Sequence, residues 1–243
     1  MIRGTDVVPV RHLNTFLTLA ETAVDRRFEC PYIKTYEFDG DFIDDVHRSV
    51  VSGIDANGMI DFGIEGWLLP ADALKLYELV HFCRGDVLEL GTYRGLSAAV
   101  AALSSTEAGI ENVVISFDMS PTETETARQN LRDRPGHERV HLFSVEAGQG
   151  VRDLARAKRM FNFAFVDHSH QYEYVFDVCQ SLHRVMYVGA FALFHDFNDP
   201  RNAAQDAPDY GVYQGVLDGL DPRRFEFWGI YGCSGLFRRI GPV

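Results

Sequence analysis

Asp86-Val87-Leu88-Glu89-Leu90-Gly91-Thr92-Tyr93-Arg94-Gly95-Leu96-Ser97 decides how the rest of the chain is read. A short apolar run carries an acid, passes through Gly-x-x-x-Gly, and enters a segment rich in Ala and Leu. That is the pattern of a strand, a tight loop and a helix N-terminus. Glycines in such a loop let backbone N–H groups approach a ligand, with the helix dipole behind them. The G-x-G-x-x-G spacing of a dinucleotide fingerprint is absent, so a pyrophosphate is not the expected ligand.

Outward from this loop, apolar runs alternate with helical segments. Val87–Leu90 reads as the first strand and Gly95–Ser105 as the helix after it. Val113–Phe117 is a second strand ending at Asp118, and Ser120-Pro121 opens a helix with Glu123 completing a capping box. Val140–Phe143 precedes a helix over Gly148–Ala157, and Phe161–Val166 ends at Asp167. Tyr172–Val185 places Val175, Val178, Cys179, Leu182 and Val185 on one helical face. Ala190–Phe194 is a fifth strand ending in His195-Asp196. A helix near Gly211–Leu220 and two strands, Phe225–Ile230 and Gly235–Ile240, follow. The alternation predicts an α/β fold with a parallel sheet covered on both faces. The short link between the last two strands predicts an antiparallel hairpin.

Residues 1–85 do not share that alternation. Asp39, Asp41, Asp44 and Asp45 form an acidic stretch, Asn57-Gly58 marks a turn, and Ala71–Phe82 after Pro70 reads as a helix. Residues 1–85 are therefore expected to be an N-terminal extension on the main domain, residues 86–243. Trp67, Leu68 and Leu69 are expected near the glycine loop. Residues 30–60 are expected to help close an acceptor pocket or a homo-oligomer contact.

Composition narrows the classes. The 243 residues carry a net charge of −12, which disfavours a nucleic-acid partner. No apolar run is long enough to span a bilayer, and Leu13–Ala23 is interrupted by polar residues, unlike a signal peptide. Cys30, Cys83, Cys179 and Cys233 form no C-x-x-C and read as reduced thiols, which points to a cytoplasmic protein.

Ligands of open α/β sheets bind beyond the carboxyl ends of the strands. The polar residues there are Glu89, Asp118, Asp167 and His195-Asp196. Asp118, after the second strand, has the position of an acid that accepts ribose hydroxyls; capping is the other use of such a residue. Glu146 faces either an adenine amine or solvent. Asp167-His168-Ser169-His170-Gln171-Tyr172 is answered by His195-Asp196-Phe197-Asn198-Asp199. Neighbouring strands would set Asp167 and Asp196 about 5 Å apart. Two carboxylates that close repel unless a cation or a proton lies between them. Oxygen ligands suit Mg²⁺ or Ca²⁺, with Asn198 as an added amide; His170, His195 and one Asp would instead suit Fe(II). Hydrogen-bonded core or capping histidines are the plainer alternative.

Ile64-Glu65-Gly66-Trp67-Leu68-Leu69-Pro70, the loop Glu89–Gly95, Asp167–Tyr172 and Phe194–Phe197 come in the order and spacing of a bacterial family of class I S-adenosylmethionine (SAM) methyltransferases. The chain resembles its macrocin and other sugar or antibiotic O-methyltransferases from about Ile64 to Arg239. The resemblance implies a Rossmann-like sheet of order 3-2-1-4-5-7-6 with SAM over the first two strands. It implies cofactor contacts from Glu89, Gly91, Thr92, Tyr93, Gly95, Ser97, Asp118, Glu146, Asp167 and His168. Metal ligation would fall to Asp167, Asp196 and Asn198, and the chemistry to His170, His195 and Asp167. His168 stands where the family usually has Gly, as in catechol-type enzymes where an Asp-His pair lies beside the cofactor. Phe197 stands where those enzymes have a third metal ligand, with Asn198 one position on.

Two functions follow as expectations. One is SAM-dependent O-methylation of a small-molecule hydroxyl, with Mg²⁺ assisting. The other is a non-methylating relative, either a nucleotide-type binding module or an iron-dependent hydroxylase using the His/Asp cluster.

Overall fold

The computed structural model describes residues 59–60 and 62–241. The acidic stretch and the rest of residues 1–58 lie outside these. The first helix, α1 (Pro70–Cys83), starts on a proline, whose missing N–H costs nothing at a helix start. It ends at Arg84 in the left-handed conformation. Every residue of α1 from Pro70 to Val80 is buried. Leu74, Leu76, Tyr77 and Leu79 join Ile60, Ile64 and Leu68 in the same apolar core as the sheet residues Val87, Phe163 and Leu193. Burial of each such side chain contributes about 1.5–3 kcal/mol, so residues 60–83 are tied to the sheet by packing.

The sheet elements are β1 (Val87–Leu90), β2 (Val114–Asp118), β3 (Val140–Ser144), β4 (Phe161–Val166), β5 (Met186–Phe194), β6 (Phe225–Tyr231) and β7 (Ser234–Arg239). Between them run α2 (Leu96–Glu107), α3 (Pro121–Leu131), α4 (Ala147–Arg156), α5 (Tyr172–Leu182) and α6 (Val212–Gly219). The strand order is β3-β2-β1-β4-β5-β7-β6. Strands β1 to β5 pair in parallel, and β7 runs antiparallel to both β5 and β6. The Rossmann-like order is as the resemblance implies, and the terminal hairpin is as the chain's pattern predicts. Among the described residues, no helix is long and apolar enough to cross a membrane.

The two largest boundary differences from expectation are at α5 and β5. Helix α5 stops at Leu182, because Arg184 and Val185 bond back only three residues, to Ser181 and Leu182. Strand β5 starts at Met186 rather than Ala190. Gly189 there has φ 93°, and the pairing jumps from Phe161–Met186 to Phe163–Phe191. The extra residues bulge outward, leaving Tyr187 and Val188 exposed.

The register sets the site. Leu90 lies beside Phe117 and Val166, and Val166 beside Phe194. One residue further on, Gly91, Asp118, Asp167 and His195 stand at a common level across four strands. Hydrogen bonds continue to that level: Gly91 N–H to Phe117 O at 2.8 Å, Asp167 N–H to Leu90 O at 2.7 Å, His195 N–H to Val166 O at 3.0 Å.

Candidate active site

A cavity of about 530 Å³ opens at this level, the size of a small-molecule site. One half is built by the glycine loop. A Cβ on Gly91 would sit 1.9 Å from the Asp167 carbonyl oxygen, and its φ is 101°, so only glycine fits there. The Asp118 carboxylate accepts from the Tyr93 N–H at 2.7 Å and the Ser120 N–H at 2.8 Å. It therefore holds the loop while facing the cavity, and Ser120 caps α3 through the Glu123 N–H. Glu146 also lines the cavity, but its two oxygens accept from the Gly148 and Gln149 N–H groups at 2.7 and 2.8 Å. It is the cap of α4, a role not foreseen for it.

Thr92, Tyr93 and Ser97 line the cavity with Gly91, whereas Glu89 and Gly95 lie behind that wall. Glu89 is buried and accepts from the Ser116 hydroxyl, its partner across β2. Burial pushes its carboxyl up to about 7, against the pull of hydrogen bonds from Ser116 and Ser97. Trp67 stacks on Tyr93 with ring centroids 5.3 Å apart, so the Trp67–Leu69 segment does reach the loop. Trp67 and Met119 are 62% and 66% exposed and present apolar surface to the cavity.

The other half is a knot of charged side chains. His170 Nε2 is 2.9 Å from Asp196 Oδ2 and 3.9 Å from Asp167 Oδ1. His195 Nδ1 is 3.2 Å from Asp167 Oδ1 and 3.3 Å from Asp196 Oδ2. Burial alone would lower His170, but Asp167 and Asp196 outweigh it and raise it to about 9. His195 is raised well above the usual range by the same acids against its burial. Asp196 is held below the carboxylate range by His195 and His170 despite burial. Asp196 itself adopts φ 59°, a conformation L residues avoid, and the ion pairs offset that strain. Burial lowers His168 to about 4, so its imidazole is neutral, and its buried Nε2 has no partner.

The structure thus brings Asp167, His168, His170, His195 and Asp196 to one cavity. It does not bring Asn198 into the cavity wall: Asn198 is buried and its N–H donates to the Cys233 carbonyl at 2.7 Å. Phe197 turns inward instead, onto Phe237 and Tyr213. Cys233 and Arg201 complete the lining and were not legible in the chain's motifs. Cys233 sits in the turn between β6 and β7 and reaches His195 only because β7 lies beside β5.

Residues 88–197 match a family model described as a methyltransferase domain, and the strand order is that of the class I fold. Over these residues the chain is similar to a methyltransferase domain, on the fold of the class I enzymes. Three solved structures share the fold of this chain at low identity. The O-methyltransferase from Bacillus cereus in complex with SAH is 17% identical, with a TM-score of 0.59 over 82% of this chain and 91% of that one. The cofactor-bound Rv0187 from MTB is 21% identical, with a TM-score of 0.58 over 84% and 93%. The O-methyltransferase TomG from Streptomyces achromogenes, involved in tomaymycin synthesis and in complex with SAM, is 17% identical, with a TM-score of 0.54 over 82% and 91%. No curated protein matches the chain.

The residues present fit the methyl donor of such a domain. The partnerless His168 Nε2 offers a buried acceptor or donor, Asp118 offers oxygens, and Trp67 and Met119 offer apolar faces. The donor set for a cation is also present. Ligand atoms of Asp167, His170 and Asp196 lie within 4.8 Å of one another.

Proposed function

We propose that the chain transfers a methyl group from SAM to a hydroxyl oxygen of a small molecule. The observation that carries this reading is the convergence of Asp167, His170, His195 and Asp196 on the cavity that the glycine loop also lines. SAM supplies the electrophilic methyl: a C–O bond forms, the C–S bond breaks, and the hydroxyl proton goes to a base. The loop held by Asp118 fixes the donor end, and positioning of donor against acceptor supplies much of the rate. Cofactor contacts are assigned to Gly91, Thr92, Tyr93, Ser97, Asp118 and His168, with Glu89 acting from behind. Trp67 and Met119 suit an acceptor or cofactor ring. The acceptor is a sugar, glycoside or secondary metabolite; nucleic acid and membrane are not partners, and the compartment is the cytoplasm. Residues 30–60 belong to acceptor closure or self-association in this reading.

Asp167, Asp196 and His170 would hold a divalent cation such as Mg²⁺, which polarises the acceptor hydroxyl when bound. A second reading is favoured by the 2.9 Å His170–Asp196 pair. There the two imidazoliums neutralise the two carboxylates, and His170 takes the proton once it has lost its own. EDTA treatment separates the two. Loss of methyl transfer, restored by Mg²⁺, supports the cation. Full activity after chelation, rising with pH toward about 9 as His170 deprotonates, supports the histidine base. Absence of SAM binding by calorimetry overturns the function itself.

A further inference from the structure

Behind the His/Asp knot, and sharing His195 with it, lies a second group of which methyl transfer leaves Asp72 and Cys233 unused. Asp72 enters from α1, His195 from the end of β5, and Cys233 from the β6–β7 turn. Cys233 Sγ is 3.3 Å from His195 Nε2, 3.5 Å from Asp72 Oδ2 and 3.6 Å from Asp196 Oδ1. One thiol proton satisfies one acceptor, yet two carboxylate oxygens and an imidazole nitrogen surround the sulfur.

Asp72 has a plain structural task, and it uses one oxygen. Oδ1 accepts from the Cys233 and Ser234 N–H groups, both at 3.1 Å, and from the Ser234 hydroxyl at 2.6 Å. These bonds close the β6–β7 turn. Oδ2 is left with the Cys233 thiol alone, on a side chain that is 0% exposed. A wholly buried carboxylate oxygen that faces only a weak thiol donor is costly.

We infer that Asp72, His195 and Cys233 form a binding site for a borderline transition-metal ion, Zn²⁺ or a similar divalent ion, in the wall of the methyltransferase cavity. Bond lengths of about 2.0–2.3 Å at tetrahedral angles set ligand atoms about 3.3–3.7 Å apart. The sulfur-to-nitrogen and sulfur-to-oxygen spacings of 3.3 and 3.5 Å fall in that range. A thiolate selects such an ion over Mg²⁺, so the site differs in kind from the oxygen-rich Asp167/His170/Asp196 group. The far side of the His195 ring supports it. Nδ1 makes no hydrogen bond of its own and lies 3.2 Å from the Asp167 carboxylate, close enough for that carboxylate to orient the ring through its second nitrogen once Nε2 holds an ion. Cys233 and His195 both line the cavity, which gives the ion an entry path and leaves three protein ligands with an open side. On binding, the Cys233 thiol proton and the Nε2 proton of the His195 imidazolium are released to solvent, and no electron is transferred.

The test uses the whole protein and does not depend on methyl transfer. Cobalt(II) added to the metal-free chain is expected to give a near-ultraviolet thiolate charge-transfer band at one equivalent. The band should vanish in Cys233→Ser and persist in Cys83→Ser and Cys179→Ser. Zn²⁺, and not Mg²⁺, should slow alkylation of Cys233 in the wild type at least tenfold, read by mass spectrometry. This second measurement stands even if Cys233→Ser fails to fold. A wild type with no thiolate band, or alkylation of Cys233 unchanged by Zn²⁺, overturns the site. Loss of methyl transfer with the band intact would count against the proposed function alone.

Discussion

The two halves of the cavity are built in opposite ways. In the glycine-loop half, acidic side chains hold backbone: Asp118 takes the Tyr93 and Ser120 N–H groups, and Glu146 takes those of Gly148 and Gln149. In the other half, acidic side chains hold other side chains: Asp167 and Asp196 share His170 and His195. The first half uses residues from the ends of β1, β2 and β3 and the loops that follow them. The second uses residues from β4, β5 and the β6–β7 turn. The first arrangement makes a rigid cradle whose charges are absorbed by the fold. The second concentrates charge whose balance shifts with a single proton or cation, which is what a reaction site requires.

Three substitutions test that contrast. The largest effect is expected from Asp196→Asn. It removes one of two carboxylates from the knot and should lower turnover by roughly 10²–10⁴-fold while SAM affinity stays within a few fold. Calorimetry beside a turnover assay reads both; lost SAM binding would mean that the halves are not separable.

Next is the pH dependence of stability. The Glu89 carboxyl titrates at about 7 in the fold against 4.5 in the unfolded chain. The folded protein therefore keeps a proton that the unfolded chain has lost between those values. This contribution is fully present below about 4.5, falls as pH rises, and is gone above about 7; a shift of this size corresponds to about 3 kcal/mol. Glu89→Gln should flatten that slope in urea titrations run from pH 5 to pH 8. An unchanged slope would remove Glu89 as its source.

The smallest effect is Asp118→Ala, expected to weaken SAM binding by roughly 1–3 kcal/mol through lost hydrogen bonds. Turnover at saturating SAM should change little. A turnover loss matching that of Asp196→Asn would erase the distinction between the halves.

Much of the cradle was legible before any coordinates. Gly91 and Gly95 mark the turn and Ser120-Pro121 marks a cap, both recognisable from local turn and capping chemistry. Glu146 as a cap was missed because its outward environment gave two other uses, although its place just before α4 was the available signal. Proximity to Asp196 along the chain points Asn198 toward the knot. The left-handed turn at Asp196 and the burial of Phe197 take it elsewhere, and a one-dimensional pattern records neither.

The sequence by itself determined the alternation of strands and helices, the strand that carries the glycine loop, and the acids and histidines that end the strands. These follow from local periodicity, turn chemistry and the rule that α/β ligands sit at carboxyl ends. Only the tertiary structure decided which charges meet. Asp72 and Cys233 are 161 positions apart and touch because α1 packs into the core and β7 pairs with β5. Burial then sets the protonation of Glu89, His168 and Cys233 through desolvation, a property of surroundings that no spacing along the chain encodes.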